Sequence, residues 1–340
     1  MPKSASKPNI RQVAQAACVS PTTVSIVLNG SRSGGDRISP ETQQRVMEAV
    51  ASLGYVPNQS ARSLRRQKTE RVCLFLNSIG IPYNDMLANE LDKTAYQNGY
   101  SMILAIGGSM EQEHRVFDQL MRGLADGVII VGNNYLTDDE VSLLASSGCA
   151  VVVSDNYLAP AGVDLIQNTE REASLLAMQY LYSKGHRRIG YIGNVSGTRS
   201  QLPRYESYRQ FMLEQQITVP SDYVQQDKGI SRENAYACAQ NLLKCAQVPT
   251  AVFCGSDLAA ISAISACRSA GKRVPEDIAV IGAGNIPEGQ ITLPALTTIG
   301  PPQLDFSQMV QMLFSRLRGE APVEGRKYRI QWDLVLRNSA

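Results

Sequence analysis

Hydrophobic side chains recur at helical spacing in three short segments near the start of the chain. Their apolar faces consist of Ile10, Val13, Ala14 and Ala17, then Val24, Val27 and Leu28, and then Val46, Ala49, Val50 and Leu53. Spacings of three and four residues predict amphipathic helices over 9–17, 20–29 and 39–53. A Ser-Pro pair opens the second and the third helix, as expected of an N-cap and a first turn. The first two helices, joined by a turn of three or four residues, predict a helix-turn-helix motif.

The outward face of the second helix has no charged side chain. It presents Thr22, Thr23, Ser25, Ile26 and Asn29. Lys and Glu are the usual residues on a solvated helix face. Hydroxyl, amide and isoleucine side chains instead favour a surface that contacts another molecule.

A basic stretch with few apolar residues follows over 56–70, VPNQSARSLRRQKTE. Its segment ARSLRR is long enough for one helical turn, yet only Ala61 and Leu64 have apolar side chains to bury. Helix nucleation is costly, so this segment is expected to be unfolded on its own. Two interpretations remain: a flexible linker, or a helix that orders only on its target.

Beyond residue 70, continuous apolar runs alternate with helical patterns. The runs RVCLFLN, YSMILAIG, GVIIVG and CAVVVSD come first, and the alternation restarts with RRIGYIG, TAVFCGSD and IAVIGAG. Apolar strands between helices predict a parallel sheet covered on both faces. The chain is therefore expected to combine an all-α helix-turn-helix headpiece with an α/β core of two doubly wound parallel-sheet lobes. Ligands of such folds bind beyond the carboxyl ends of the strands, which favours a site in the cleft between the lobes.

Charge is distributed unevenly along the 340 residues. Residues 1–70 contain ten Lys and Arg against four Asp and Glu, a net charge of +6, and the total of +2 leaves −4 for the remainder. A basic head on an acidic body favours a polyanion as the partner of the head alone. A basic disordered tail is the alternative interpretation.

Cysteine and histidine usage argues against metal and disulfide chemistry. Seven cysteines are scattered without a Cys-x-x-Cys pair, and His114 and His186 are the two histidines. Free thiols are typical of a reducing cytoplasm, and the sequence has neither a secretory leader nor an apolar run of membrane-spanning length. No nucleophile elbow, phosphate-binding loop or His-acid constellation indicates catalysis. We expect a cytoplasmic protein that is not an enzyme, needs no cofactor or metal and does not associate with a membrane.

The head and the core resemble one family along almost the whole chain. IRQVAQAACVSPTTVSIVLNG, ISPETQQRVMEAVASLGYVPN and SARSLR resemble the DNA-binding headpiece of the LacI/GalR (lactose-repressor) family of bacterial transcription regulators. GHRRIGYIG, PTAVFCGSD, GKRVPEDIAVIG and PALTTI resemble the effector-binding core of that family, which has a periplasmic-binding-protein-like fold. The expected divisions are a headpiece over 1–57, a hinge helix and linker over 58–70, and an effector-binding and dimerisation core over 71–340, with an N-lobe of about 71–157 and 298–320 and a C-lobe of about 163–285 and 326–340.

The resemblance implies that residues 20–29 form a recognition helix in the major groove of DNA. By position, Pro21, Thr22 and Ile26 would face base edges, while Ser20, Thr23, Ser25 and Asn29 would contact phosphates or support those contacts. The family commonly has Arg at the position of Ile26, and an Arg there suits bidentate contact with guanine. Ile26 offers only apolar contact, for example to a thymine methyl. We therefore expect an operator that differs at this position.

Leu64 resembles the hinge-helix leucine that, in the family, pairs with its dimer mate and wedges between base pairs in the minor groove. Such a wedge unstacks a base step at a cost of about a few kcal/mol, which the contacts made by the bent DNA offset. Arg62, Arg65, Arg66 and Lys68 would lie beside phosphates. The alternative is a basic tether in which Leu64 has no role.

The resemblance to the family's effector site is less complete. The matching positions are Tyr83, in the loop after the first core strand, Asp155, Arg204, Ser256, Asp257 and Asn285. Asp257 either binds the effector or caps the helix that follows it. The family has an aspartate near residue 284 that binds sugar hydroxyls, whereas this chain has Gly284. Either Asn285 partly substitutes for that aspartate, or the ligand is phosphorylated or anionic.

The function implied by the resemblance is transcription repression. A homodimer would bind a palindromic operator in double-stranded DNA under the control of a carbohydrate-related metabolite, such as a sugar, a sugar phosphate or a sugar acid. Two alternatives remain. A solute-binding protein shares the two-lobed core, but it needs export and has no use for a DNA-reading head. A regulator that acts without an effector would have a degenerate cleft.

Overall fold

The computed structural model describes residues 8–29, 38–56, 68–196, 199, 201–227 and 231–340. Contacts divide the chain into two compact units, residues 1–69 and residues 70–340. The first unit holds the basic head, and the second holds the α/β core.

Three helices of the first unit enclose one small core. They are α1 (Ile10–Ala16), α2 (Pro21–Asn29) and α3 (Pro40–Leu53). Val13, Val24 and Val46 are fully buried where the three helices meet. Residues 17–20 join α1 to α2, so the helix-turn-helix predicted from the sequence is confirmed.

Both ends of α3 follow from local sequence. Ser39 Oγ accepts a hydrogen bond from the amide of Thr42 at 3.3 Å, and Gly54 ends the helix in the left-handed conformation at φ 61°. The prediction that Leu53 belongs to the buried face of α3 is wrong, because the helix ends at this residue and its side chain remains 38% exposed. Tyr55, beyond the turn, packs against the core instead.

The first lobe of the second unit is a six-stranded parallel sheet with helices on both faces. Its strands are β1 (Arg71–Leu76), β2 (Ser101–Ile106), β3 (Gly127–Val131), β4 (Ala150–Ser154), β5 (Asp164–Asn168) and β11 (Lys327–Ile330), in the order β11-β5-β4-β3-β1-β2. Helices α4 (Pro82–Gln97) and α12 (Ser307–Leu317) cover one face, and α5 (Met110–Met121) and α6 (Asp138–Ser146) cover the other. The doubly wound arrangement is the one predicted.

The second lobe has the same architecture with one antiparallel edge strand. Its strands are β6 (Ile189–Gly193), β7 (Val224–Gln226), β8 (Ala251–Cys254), β9 (Ala279–Ala283), β10 (Thr297–Gly300) and β12 (Asp333–Val335), in the order β12-β10-β9-β8-β6-β7. Helices α7 (Glu170–Ser183) and α8 (Leu202–Glu214) pack on one face, and α9 (Arg232–Leu243) and α10 (Asp257–Ser269) on the other, with the short helix α11 (Glu288–Ile291) before β10. Only β12 runs antiparallel to its neighbour.

The chain passes between the lobes three times, later in each case than the sequence suggested. The expected crossovers lie near 157–163, 285–298 and 319–326, whereas the structure has them after β5, between β10 and α12, and between β11 and β12. The strands β5, β10 and β11 have the sequences DLIQN, TTIG and KYRI. They lack the long apolar runs of the other strands, so the pattern did not reveal them as the last strands before each crossover.

Hydrogen bonds that involve side chains link two of the crossovers to each other and the remaining one to a neighbouring loop. The amide of Trp332, between β11 and β12, donates to Thr169 Oγ1 at 2.7 Å, and the Thr169 hydroxyl donates to the Trp332 carbonyl at 3.3 Å. The Asn285 amide donates to the carbonyl of Pro301 at 2.8 Å. The first and third crossovers are thus bonded to each other, and the second is bonded to the loop after β9.

No helix in the described ranges combines the length and the apolar character that crossing a bilayer requires.

Candidate nucleic-acid interface and interlobe cleft

The start of α2 is fixed by a side-chain cap. Ser20 Oγ accepts from the amide of Thr23 at 3.0 Å, and the two hydroxyls are 2.9 Å apart. This satisfies one of the amides that a helix start leaves without a partner. Two of the three hydroxyls predicted to lie at phosphates, those of Ser20 and Thr23, are therefore together at the first turn of α2.

The remaining predicted DNA-contacting residues of α2 differ in exposure. Pro21 and Thr22 are exposed, while Thr23, Ser25 and Ile26 are half-buried, and Asn29 is the last residue of the helix. The accessible part of this face carries no acidic or basic side chain. The half-buried Ile26 keeps part of its apolar side chain accessible. Arg62, Leu64 and Arg65, which the sequence analysis assigned to the hinge, lie outside the described residues.

Tyr83 extends from the first lobe into the cleft. It is the second residue of α4 and not a loop residue, because the helix already begins at Pro82. Its ring meets that of Phe306 edge to face, with centroids 4.7 Å apart. Burial raises the pKa of Tyr83 to about 12, against the opposing effect of a hydrogen bond with Ser154. The charges of Glu170 and Arg204 also act on the pKa of Tyr83, because this tyrosine lies close to polar groups of the second lobe.

Arg204 is held by a carboxylate that the sequence analysis did not single out. Its Nε donates to Glu170 Oε2 at 2.8 Å, and the two side chains are only 11% and 8% exposed. Its guanidinium also donates to the carbonyl of Gly255 and lies 5.0 Å from the centre of the Trp332 ring. Asn156 donates to the other oxygen of Glu170 at 2.9 Å. The cleft thus contains a largely buried ion pair whose charges balance each other.

Asp155 follows β4 and organises its own loop. One oxygen, Oδ1, accepts from the amides of Tyr157 at 2.6 Å and Leu158 at 2.8 Å. Burial raises the pKa of this carboxyl, while the two amides and the charge of Arg199 act to lower it. Asp155 therefore lies at the cleft with part of its hydrogen-bonding capacity committed to the turn that follows β4.

Ser256 and Asp257 are adjacent in sequence but have different structural roles. Ser256 Oγ accepts from the amide of Ala259 at 3.1 Å and is the N-cap of α10. Asp257 does not cap the helix, which removes one of the two interpretations given above. The Asp257 carboxylate accepts from the Thr298 hydroxyl and from the amide of Ile286, the latter at 2.8 Å. Burial raises the pKa of Asp257 to about 6, despite these hydrogen bonds.

The loop after β9 leaves little hydrogen-bonding capacity for a ligand. Asn285 is 5% exposed, donates to Pro301 and accepts from the guanidinium of Arg337 at 2.6 Å. Gly284 has φ 133°, and a Cβ built on it would lie 3.5 Å from Asp257 Oδ2. An aspartate at this position would combine backbone strain with a second carboxylate beside Asp257. The geometry explains why glycine suits position 284 in this chain.

The structure places Tyr83, Asp155 and Arg204 close together. The charge of Glu170 acts on both Tyr83 and Asp155, and the charge of Arg204 acts on Tyr83 and Asp257. Sequence reasoning missed Glu170 and Arg199, which complete this neighbourhood. Glu170 follows β5 by two residues, and the apolar pattern did not reveal that strand, so no strand end marked this residue. Arg199 lies outside the helices and strands, so hydrophobic periodicity did not mark it. No group of three or more His, Cys, Asp or Glu side chains suited to a metal ion occurs among the residues that the structure describes.

Comparison with known proteins agrees with both units. Residues 9–58 match the family of bacterial regulatory proteins, lacI family, and residues 178–340 match the periplasmic binding protein-like domain. The chain is 32% identical over 333 residues to the HTH-type transcriptional repressor PurR of Pasteurella multocida (strain Pm70), covering 97% of this chain and 98% of the relative. It is 31% identical, with the same coverage, to the repressor PurR of Histophilus somni (strain 129Pt).

Solved structures also align along nearly the whole chain. The complex of the transcriptional regulator CelR with cellobiose is 27% identical, with a TM-score of 0.67, and 98% of this chain and 100% of that chain are covered. The Lac repressor dimer bound to operator and the anti-inducer ONPF is 23% identical, with a TM-score of 0.76 and 98% of each chain covered, which is a likeness of fold.

A helix-turn-helix head and a two-lobed ligand-binding core define a DNA-binding transcription regulator with an effector-binding domain. The chain belongs to the LacI family of bacterial regulatory proteins. The relatives and solved structures named above are transcription regulators and not enzymes.

Proposed function

We propose that the protein acts in the cytoplasm as a transcription repressor that binds a palindromic operator as a homodimer, under the control of a small metabolite in the interlobe cleft. The observation that carries this proposal is the uncharged, partly exposed face of α2 on a helix-turn-helix. A helix of this kind fits the major groove, where hydroxyl and apolar side chains contact base edges and phosphates.

Within this proposal, Pro21, Thr22 and Ile26 contact bases, and Ser20, Thr23, Ser25 and Asn29 contact the backbone or support that contact. The cap between Ser20 and Thr23 supports the assignment, because it fixes the helix end at which base contacts of this motif are made. Arg62 and Arg65 neutralise phosphates, and Leu64 wedges into the minor groove; these three assignments rest on the family resemblance.

An apolar sheet edge supports the homodimer. The strand β2 (SMILAI) is the edge strand of the first sheet, all six of its residues are partly or fully exposed, and Leu104 is 45% exposed. Tyr96, on the helix that precedes β2, is 85% exposed. Edge strands of this composition are normally covered, and a second copy of the same surface is the simplest cover in a symmetric dimer.

The cleft supports a polar effector. Arg204 and Glu170 offer a donor and an acceptor side by side, and Tyr83 and Asp155 extend toward them from the other lobe. A carbohydrate-related ligand fits such a set, and the CelR relative is described as a complex with cellobiose. Effector and operator then alter each other's affinity by the same factor, because the coupling between two sites is reciprocal.

One observation favours a second candidate, a regulator that responds to no metabolite. The side chains of Asn285 and Asp257 are already bonded within the protein, and Gly284 offers no side chain at all. In this alternative the cleft has lost part of its binding set, and the amount of protein alone sets the level of repression.

Selection of bound sequences from random DNA duplexes tests the proposal. The selection is run with the full-length protein, and then repeated with pools of neutral sugars, sugar phosphates and sugar acids. A palindromic sequence whose binding changes with one pool supports the proposal and identifies the effector class. A palindrome indifferent to every pool favours the effector-independent regulator. The absence of any enriched sequence contradicts DNA reading by α2.

A further inference from the structure

Two loops of different lobes are in contact through Arg199. Arg199, in the loop between β6 and α8 of the second lobe, donates its backbone amide to Asn134 Oδ1 at 3.0 Å. Its guanidinium donates to the carbonyl of Leu136 at 3.2 Å. Asn134 and Leu136 belong to the loop between β3 and α6 of the first lobe. One arginine therefore contacts the opposite lobe through both its backbone and its side chain.

The loop over residues 134–136, which accepts the hydrogen bonds of Arg199, is itself held by a buried carboxylate. Glu113, on α5, is fully buried and accepts from the backbone amides of Asn134, Tyr135 and Leu136 at 2.9 to 3.3 Å. Three amides that converge on one carboxylate hold the loop in a single conformation. The acceptors of Arg199 are therefore held by a residue of their own lobe.

The charge of Arg199 also interacts favourably with the first lobe. Its positive charge acts on Asp155, which follows β4 in the same lobe as the acceptor loop. Residues after β3 and β4 thus both attract the same arginine of the other lobe. The contact uses no residue of the central set formed by Tyr83, Arg204 and Glu170.

We infer that Arg199 is an interlobe clasp: a positioning residue that bonds the 134–136 loop and so stabilises the closed cleft. A contact made only in the closed state raises the population of that state, and a ligand that binds the closed state gains apparent affinity in proportion. The inference rests on the lobes alone, so it holds whether or not the proposed effector control is correct.

Hydrogen exchange of the full-length protein tests the clasp, with the substitution in one lobe and the readout in the other. Asn134→Ala removes the acceptor in the first lobe, and the amide of Arg199 in the second lobe is measured. Loss of one hydrogen bond is expected to raise its exchange rate by about fivefold. Asn98→Ala, the same substitution at an exposed residue of the first lobe, is the control and should leave the rate unchanged.

A second variant tests whether the contact holds the cleft closed. The single tryptophan, Trp332, lies at the third crossover, so its fluorescence reports on a change in lobe orientation. In Arg199→Ala we expect stronger quenching of Trp332 by acrylamide and a larger radius of gyration by X-ray scattering. The control Arg209→Ala removes an exposed arginine of α8 in the same lobe and should change neither quantity.

Exchange at Arg199 and the opening of the cleft are interpreted together. Faster exchange at Arg199 in Asn134→Ala, together with an opened cleft in Arg199→Ala, supports the clasp. Unchanged exchange at Arg199 overturns it, because the contact is then not made in solution. Faster exchange with unchanged quenching and unchanged scattering overturns it as well, because the contact then exists without holding the lobes together. The operator selection described above is independent of all three results.

Discussion

The carboxylate of Glu170 and the guanidinium of Arg204 face each other at 2.8 Å, and neither side chain is more than 11% exposed. Each group neutralises the other where water has little access. Removing one partner of such a pair leaves the other charge buried and uncompensated, which costs far more than the loss of an exposed ion pair.

Glu170→Gln is therefore expected to lower the free energy of unfolding by about 3 kcal/mol. Chemical denaturation measures this change. Glu172→Gln is the matched control, because Glu172 pairs with Arg329 but both side chains are more than half exposed. A loss below about 1 kcal/mol is expected there. Equal losses in the two variants would contradict the view that burial makes the Glu170 pair important.

The raised pKa of Asp257 predicts a stability that depends on pH. Its pKa rises from 3.8 to about 6 on folding, so folding favours the protonated carboxyl. The contribution is fully present below about pH 4 and is lost as the pH rises toward 6 and above. A shift of about two units corresponds to roughly 3 kcal/mol.

Urea unfolding between pH 4 and pH 7.5 tests this dependence by comparison with Asp257→Asn. The wild type should lose stability relative to the variant as the pH rises through this range. Asp277→Asn is the control, because Arg273 holds the pKa of the exposed Asp277 low, at about 2, so this carboxylate stays ionised in the folded protein across the range and the variant's profile should run nearly parallel to that of the wild type. Parallel pH profiles for wild type and Asp257→Asn would show that Asp257 does not titrate as stated.

Introducing an aspartate at residue 284 is expected to lower the free energy of unfolding. Gly284→Ala introduces backbone strain of about 1–3 kcal/mol, because φ is positive there. Gly284→Asp adds a carboxylate beside that of Asp257, so its loss should exceed that of the alanine variant, and the excess should shrink as the pH falls below 6. Unfolding at pH 5 and pH 8 measures both quantities. An aspartate variant as stable as the alanine variant at pH 8 would exclude repulsion between the two carboxylates.

Ile26→Arg is expected to change the preferred base at one position of each half-site. An arginine at this place favours guanine, with discrimination of about 1–3 kcal/mol against other bases. Sequence selection with the variant measures the change. Gln44→Arg adds the same charge to an exposed position of α3 and should strengthen binding to all DNA without altering the selected sequence. An unchanged selected sequence for Ile26→Arg would mean that residue 26 does not read bases.

Leu64→Ala is expected to weaken operator binding by about tenfold or more and non-specific binding hardly at all, because only a specific complex contains the wedge. Arg65→Ala is the comparison, since loss of a phosphate contact should weaken binding to both kinds of DNA and lower the salt slope by roughly 0.9. Titrations at several salt concentrations measure these effects. Equal losses on operator and non-specific DNA for Leu64→Ala would contradict the wedge.

The head was predictable because its determinants are local. Ser39, Pro40 and Gly54 define the bounds of α3 through contacts within four residues, and the apolar positions of three short helices match a single small core. The two-lobed core was predictable for a different reason: strands buried on both faces leave long apolar runs in the sequence. The strands β5, β10 and β11, which precede the crossovers, contain polar residues and leave no such run.

The cleft was predictable only in part, because its chemistry depends on contacts between distant segments. Arg204 was identified, but its partner Glu170 lies 34 residues earlier. The state of Asp257 depends on Ile286 and Thr298, which are 29 and 41 residues away. The contact of Arg199 with the first lobe spans more than 60 residues. Periodicity and local motifs contain no information about such pairs.

The three crossovers bear on how the protein is made. Neither sheet is continuous in sequence: the first needs β11, over residues 327–330, and the second needs β12, over residues 333–335. During synthesis the first sheet therefore lacks an edge strand until residue 330 has left the ribosome, and the second until residue 335, whereas the helices of the head end at residue 53. A nascent chain thus has the three helices of its head long before it has a finished cleft, and the two sheets are completed within a few residues of each other.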